Sequence, residues 1–400
     1  MIYYNEWIGE KMNILFVVPY FPPDRTVGTV RMASLVRFIY NDSYSISIMT
    51  NYKETKAQEF KDLKYYYVGT SIQELSTDFK KMEQMYCNKF YEIYKDKKID
   101  LIIISGGPFY SFKISVLAKK MGIPCILDFR DPWVFDKREV GGLRGLRRKI
   151  NKMFDKAKEY KAVASSKAIV TVTDGWAKEF SNRYNQWSDK IYLIENGFDE
   201  SLFNEIHLDN SIHTFSKDKI TLGVFGKLFY YTEKYSQTFL NGVYELKKQG
   251  CTCSVLQIGD RENIANNLLD KYELEHDVIK STGFLEYKNG VEKLSSVQVF
   301  LIIDNRPDAV GTKIYDYIYL NKPIVYVGCK ESAIADQLKN FKNAFICSTE
   351  KEVVDSLKTI VAKNIVNLYD ELIVDKYSFS RKVQNGKWKT LIDSILKANL

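Results

Sequence analysis

A lysine and an aspartate three residues apart, Lys313 and Asp316, follow a Gly311-Thr312 pair, and another aspartate, Asp308, stands three residues before Gly311. Placed at the start of a helix, residues of these types bind a phosphorylated ligand. The first amide N–H groups of a helix have no intrahelical acceptor and carry partial positive charge, which suits phosphate oxygens. At i, i+3 spacing Lys313 and Asp316 share a helix face, so a cation and a hydroxyl-accepting carboxylate point the same way. A ribose diphosphate needs both.

The elements that must position them are legible on either side. The apolar run Val297–Ile303 reads as a strand, a polar loop carries Arg306 and Asp308, and Pro323 opens a second apolar run. The same strand, loop, helix order recurs along the chain. Strands are predicted at 13–18, 45–50, 64–68, 100–104, 124–128, 167–172 and 190–194, then at 219–225, 253–258, 277–281, 298–303, 323–327 and 343–347. Most are apolar without strict alternation, as parallel strands covered on both faces should be. Helical patterns fill the gaps, among them 29–40, 109–121, 143–164, 234–248, 311–320 and 350–362. This predicts a doubly wound α/β fold built twice. The polar stretch Glu200–Asp218 breaks the pattern, which places domains at 12–200 and 218–375 with a linker at 201–217. The amphipathic tail within 376–400 is expected to be a helix crossing back to the first domain. Two facing sheets would bind ligands at the carboxyl ends of their strands.

Composition narrows the function. A 400-residue chain with 45% hydrophobic residues is long enough for two cores. Its six cysteines are scattered without zinc or disulfide-framework spacing, which predicts a reduced, cytoplasmic protein. Residues 1–11 are polar and aromatic, unlike a signal peptide, and no apolar stretch reaches membrane-spanning length. The net charge of +8 is concentrated: eight basic residues face two acidic ones between Leu143 and Lys161. Leu143, Leu146, Ile150, Met153 and Phe154 recur there at helical spacing, making a basic amphipathic helix. Two readings stand side by side: a solvated face on a core-packed helix, or a surface for anionic lipid that includes Arg144, Arg147, Arg148, Lys149 and Lys152. No nucleic-acid motif accompanies the charge.

Five further blocks stand at strand ends. Pro19–Arg31 follows the first strand and includes Gly28, where a glycine permits positive φ and close ligand approach. Asp128-Phe-Arg130-Asp131-Pro-Trp133 ends another strand, where active-site groups of α/β folds collect. Ile194–Phe203 contains an Asn196-Gly197 turn. Gly223-Val-Phe-Gly226-Lys227 ends the first strand of the second domain, and Ser281-Thr-Gly-Phe284-Leu285 ends a later one.

In this order the blocks resemble the GT-B glycosyltransferases, most closely the retaining nucleotide-sugar family 4, over about residues 12–397. The resemblance implies two facing Rossmann-like domains and a donor site made by Gly28, Gly226, Lys227, Phe284, Leu285, Asp308, Gly311, Thr312, Lys313 and Asp316. Lys227 would clamp the donor diphosphate and act in catalysis. The family's second basic residue falls on Thr232, which leaves Lys234, Arg306 and Lys313 as its candidates. The family's two glutamates become Asp308, for the donor sugar, and Asp316, for the ribose; each is one methylene shorter. Arg31, Arg130, Asp131 and Trp133 would face the acceptor, with Asp131 as orienting or acid/base group and Trp133 as a sugar platform. Phe203 would plug a pocket between domains.

The expected reaction is transfer of a hexose from a UDP- or GDP-linked donor to a saccharide or lipid-linked acceptor, in surface polysaccharide or glycoconjugate biosynthesis. Retention, no metal and no further cofactor are expected, at the inner face of the membrane. No Gly-x-Gly-x-x-Gly, Walker loop or Asp-x-Asp motif is present to support dinucleotide, P-loop or metal-bridged chemistry. His207, His213 and His276 lie outside the first domain, which argues against a nucleotide-sugar 2-epimerase needing acid/base groups there. A non-catalytic scaffold in a glycan-assembly complex is the remaining alternative.

Overall fold

The computed structural model describes residues 11–24, 26–40, 44–134, 142–204, 206, 219–262, 264–368 and 375–398, without the side chains of 142–152. The chain forms two compact units. The first comprises Met1–Val172, Trp176–Glu195 and Gln384–Leu400; the second comprises Thr173–Gly175 and Asn196–Val383.

Among the described residues the first unit holds seven strands: β1 (Met12–Val17), β2 (Tyr44–Asn51), β3 (Lys64–Val68), β4 (Leu101–Ser105), β5 (Cys125–Phe129), β6 (Ala168–Thr171) and β7 (Ile191–Leu193). They pair in parallel in the order β3-β2-β1-β4-β5-β6-β7. The order reverses between β1 and β4, which makes their carboxyl ends the switch point where such sheets bind ligands. The helix Arg381–Lys397 adds Trp388, Leu391, Ile392 and Ile395 to a core with Ile14, Phe16 and Ile103.

The second unit holds β8 (Lys219–Phe225), β9 (Thr252–Ile258), β10 (Ile279–Ser281), β11 (Val299–Asp304), β12 (Ile324–Gly328) and β13 (Ala344–Cys347), all parallel, in the order β10-β9-β8-β11-β12-β13. Here the switch point lies between β8 and β11. Successive residues of β11 enter opposite cores: Val299, Leu301 and Ile303 one, Phe300 and Ile302 the other. Both faces are covered, so the strand has no polar face to reveal.

Three expectations need correction. Met153 and Phe154, read as part of an apolar stripe, are 71% and 68% exposed, whereas Glu159, Ala162 and Val163 on the same helix (Gly142–Ser165) are buried. Phe203, expected to plug a pocket, belongs to a core instead. It stacks on Tyr319 at 4.0 Å within the second unit's own core. The switch between units also comes at Glu195/Asn196, earlier than residue 200, because Phe198 pairs in parallel with Ser380. Gly197 is required there: a side chain on it would collide with the Phe379 carbonyl oxygen.

Candidate functional site

At the first unit's switch point most charged groups hold the frame together. Arg31, only 5% exposed, donates through Nε to Asp128 Oδ1 at 3.2 Å and through its two terminal nitrogens to the carbonyls of Ile194 and Glu195 at 2.8 Å. Asp128 is fully buried and also accepts from Ser105 Oγ at 2.9 Å. Arg130 donates to the carbonyls of Gly106, at 2.7 Å, and Gly107. Gly28 lies in the first turn of the helix Val27–Ile39, which Thr26 caps, and a Cβ there would overlap the Arg130 guanidinium. Trp133 stacks on Phe109 with ring centroids 5.1 Å apart and planes 5° from parallel, and Phe79 stacks on it as well. The side chain left outward is that of Asp131, which is 60% exposed.

The second unit's switch point differs in kind. Gly226 ends β8 with φ at +81°, a backbone region in which glycine carries no steric penalty. The loop it opens is pinned from behind. Glu262 accepts from the Leu228 amide at 2.8 Å and from Gln257 Nε2 at 3.1 Å, and Gln257 Nε2 also donates to the Gly226 carbonyl at 3.0 Å. Lys227 is exposed, its ammonium 5.9 Å from the Tyr230 ring centroid.

Across from this loop, after β11, the helix Lys313–Leu320 begins. Its cap residue Thr312 makes no side-chain cap, and the N–H groups of Gly311, Thr312 and Lys313 meet no acceptor among the described residues. These are the orphan donors a phosphate could take up. Lys313 Nζ donates to the Lys227 carbonyl at 3.1 Å, which ties the helix start to the loop. Desolvation by the dense surroundings lowers its pKa to about 8; Arg306 lowers it further, while Asp304 and Glu262 work the other way.

Arg306 lies between them. It forms a fork with the buried Asp304, Nη2 to Oδ2 at 2.6 Å and Nε to Oδ1 at 3.0 Å, and its guanidinium carbon sits 3.9 Å from the Tyr231 ring centroid. A Cβ on Gly311 would lie 3.8 Å from Arg306 Nη2, so this cation reaches the helix start. One turn along the helix, Asp316 Oδ1 accepts from the Tyr287 hydroxyl at 2.8 Å. Burial raises the Asp316 carboxyl to about 6, against the lowering effect of Tyr287 and Arg381. In the preceding loop the Asp308 carbonyl accepts from Thr173 Oγ1 at 2.8 Å, in the short turn that clusters with this unit.

Residues 49–202 match the family model described as Glycosyltransferase Family 4. Among solved structures, HepE of Anabaena, in complex with UDP and glucose, superposes with a TM-score of 0.65 at 13% identity, covering 96% of this chain and 100% of that one. The lipopolysaccharide outer core galactosyltransferase WaaB, in its apo form, gives a TM-score of 0.65 at 11% identity over 96% and 99%. The fold is GT-B, and residues 49–202 are similar to glycosyltransferase family 4. The fold alone does not fix the reaction. The UDP-GlcNAc 2-epimerase of Neisseria meningitidis, bound to UDP-GlcNAc, shares it with a TM-score of 0.60 at 13% identity over 96% and 100%. None of the curated proteins matches the sequence significantly.

Within this GT-B frame the predicted residues fall into three groups. Gly226, Lys227, Arg306, Gly311, Thr312, Lys313 and Asp316 gather around the β8/β11 switch point. Lys234 and Phe284 are exposed around it, the first 5.0 Å from the Tyr235 ring centroid and the second 75% exposed, while Leu285 packs on the core. Thr232, standing where the family has a second cation, caps the helix Glu233–Lys248 by accepting from the Tyr235 amide.

Three first-unit roles need correction. Arg31 is a buried tie between strand ends and does not face an acceptor. Gly28 does not have positive φ; it makes room for Arg130. Trp133 gives its ring faces to Phe109 and Phe79, so it is no open sugar platform. Arg144, Arg147, Arg148, Lys149 and Lys152 lie outside the residues whose side chains are described, as do His207, His213 and most of the 201–217 linker. Sequence reasoning missed Tyr287, Tyr231, Glu262 and Gln257, none of which belongs to a recognisable motif.

Proposed function

We propose that this protein transfers a hexose from a UDP- or GDP-linked donor to a saccharide or lipid-linked acceptor. One observation carries the reading: Lys227, Arg306, Lys313 and three open helix N–H groups converge at the β8/β11 switch point. No carboxylate lies within ion-pair distance of either lysine ammonium among the described residues. In this proposal the diphosphate sits on the helix start and the lysines stabilise charge on the leaving phosphate as the sugar becomes oxocarbenium-like. Arg306, braced by Asp304 and Tyr231, supplies the cation that Thr232 cannot. Asp316 offers Oδ2 to the ribose, Tyr287 holding Oδ1, and Asp308 receives donor-sugar hydroxyls. Asp131, the exposed carboxylate in the loop after β5, orients the acceptor. Retention, independence from metal and a role in polysaccharide or glycoconjugate assembly belong to the same proposal.

A lipid surface is its second part. Met153 and Phe154 are exposed on a helix whose sequence is strongly basic, the combination that binds anionic bilayers. No helix of the described residues is long and apolar enough to cross a membrane. Binding to phosphatidylglycerol vesicles should be strong at low salt and lost at high salt. Absence of binding at low salt would favour an acceptor in solution.

The epimerase neighbours keep a second reading in view. Calorimetry followed by product analysis with UDP- and GDP-sugars separates the cases. A transferase binds one donor family and releases the nucleotide diphosphate. An epimerase converts UDP-GlcNAc without an acceptor, and a scaffold binds none.

A further inference from the structure

Beside the Asp131 loop lies a buried acid that nothing above employs. Glu159, on the helix Gly142–Ser165, is 0% exposed. Its Oε2 accepts from the Val134 amide at 3.1 Å, and its Oε1 accepts from the Tyr184 hydroxyl at 2.6 Å. A carboxylate in such a place costs stability unless its bonds do something in return. Those bonds reach the acceptor loop. Residues 130–134 are fixed by Arg130 at the Gly106 and Gly107 carbonyls, by Trp133 among aromatic rings, and by Val134 at Glu159. Asp131 is the exposed member of that stretch.

We propose that Glu159 is a positioning residue: it holds the Val134 amide, and through it the Asp131–Trp133 turn, in the geometry that transfer requires. This rests on the glycosyltransferase reading for its functional half, and on the two hydrogen bonds alone for its structural half. The groups facing Glu159 are Tyr184 and Arg183 from the segment after β6, Asp155 from its own helix, and the loop backbone. Burial raises the Glu159 carboxyl to about 7, with Tyr184, Arg183 and the Val134 amide pulling it down. The loop is therefore held by an acid that changes charge near neutral pH.

The test is amide hydrogen exchange of the peptide 128–134 in the full chain, followed across pH and beside UDP binding and sugar transfer. In Glu159→Ala, exchange at Val134 should rise at least tenfold while UDP affinity stays within twofold. Transfer should fall at least tenfold in kcat, with the donor KM unchanged. Glu159→Gln keeps an acceptor for the amide, so it should restore protection and activity but lose the inflection near pH 7 seen in the parent. Tyr184→Phe, a milder change, should shift that inflection with the fold intact. Unchanged exchange in Glu159→Ala overturns the proposal, as does a loosened loop with undiminished transfer. If no nucleotide sugar binds the parent protein, the transferase reading fails, while the exchange result still decides whether Glu159 holds the loop.

Discussion

The two switch points come from the same topology but are built for different work. At β1/β4 the charges are satisfied within the protein: Arg31 with Asp128, Arg130 with two carbonyls, and Trp133 with its aromatic neighbours. One exposed carboxylate, Asp131, stands on that frame. At β8/β11 the arrangement is reversed. The acids Asp304 and Glu262 sit behind, fixing Arg306 and the Leu228 amide, while Lys227 is exposed and the helix N–H groups meet no acceptor among the described residues. In the proposed reaction the closed frame presents Asp131 to the acceptor, whereas the open cluster of donors takes the diphosphate. The difference lies in the loops, since the sheets beneath are alike.

The contrast can be broken most forcefully at Arg31. Removing one partner from a buried pair leaves the other uncompensated, so Arg31→Ala should destabilise the first unit by about 3–5 kcal/mol. Thermal denaturation should show the loss, and an unchanged midpoint would remove Arg31 from the frame. Next comes Lys227→Ala, which should lower the transfer rate by about 100- to 1000-fold with circular dichroism and melting unchanged. Near-normal turnover would end the clamp assignment.

A third test uses Lys313. Its pKa, lowered to about 8 from the ordinary 10.5 by desolvation, means that the ammonium is charged below pH 8 and largely neutral above it. A bound diphosphate favours the charged form, so UDP binding should weaken as pH rises past 8 and should take up part of a proton there. Calorimetry in buffers of different ionisation enthalpy measures that uptake, and a flat profile to pH 9.5 would rule the contact out. The smallest effect belongs to Lys234. Exposed and lying over Tyr235, it should change UDP affinity less than about twofold when replaced by Ala, within the range of ordinary surface substitutions. A tenfold loss would give Lys234 the role proposed for Arg306.

Much of the fold was legible in the sequence because parallel strands covered on both faces read as continuous apolar runs. The strands at Lys64–Val68 and Lys219–Phe225 come out at the residues predicted for them. Helix Gly142–Ser165 shows where periodicity misleads: Met153 and Phe154 sit at apolar spacing yet face outward, and the buried side includes a glutamate. At β8/β11, types and spacing singled out Gly311, Thr312, Lys313 and Asp316, whereas Gly226 and Lys227 came from the family resemblance. Neither could assign partners, which depend on residues far apart in sequence. Arg31 is fixed by Asp128, 97 residues away, and Asp316 by Tyr287, 29 residues away. Gly28 shows the same limit: its small size is required by a side chain 102 positions further along, and no reading of its own turn could reveal that.

The pairing of Phe198 with Ser380 has one more consequence. The Phe198 amide donates to the Phe379 carbonyl at 3.1 Å, and the Arg381 amide donates to the Phe198 carbonyl at 2.8 Å. The segment Asn196–Val383 therefore begins and ends at one spot, its two ends already stitched backbone to backbone. Domains with adjoining ends tolerate excision and rewiring. Expressed alone, 196–383 has the ends of an inserted module, and joining them by a short linker would allow new termini to be opened at an exposed loop tip elsewhere in that module.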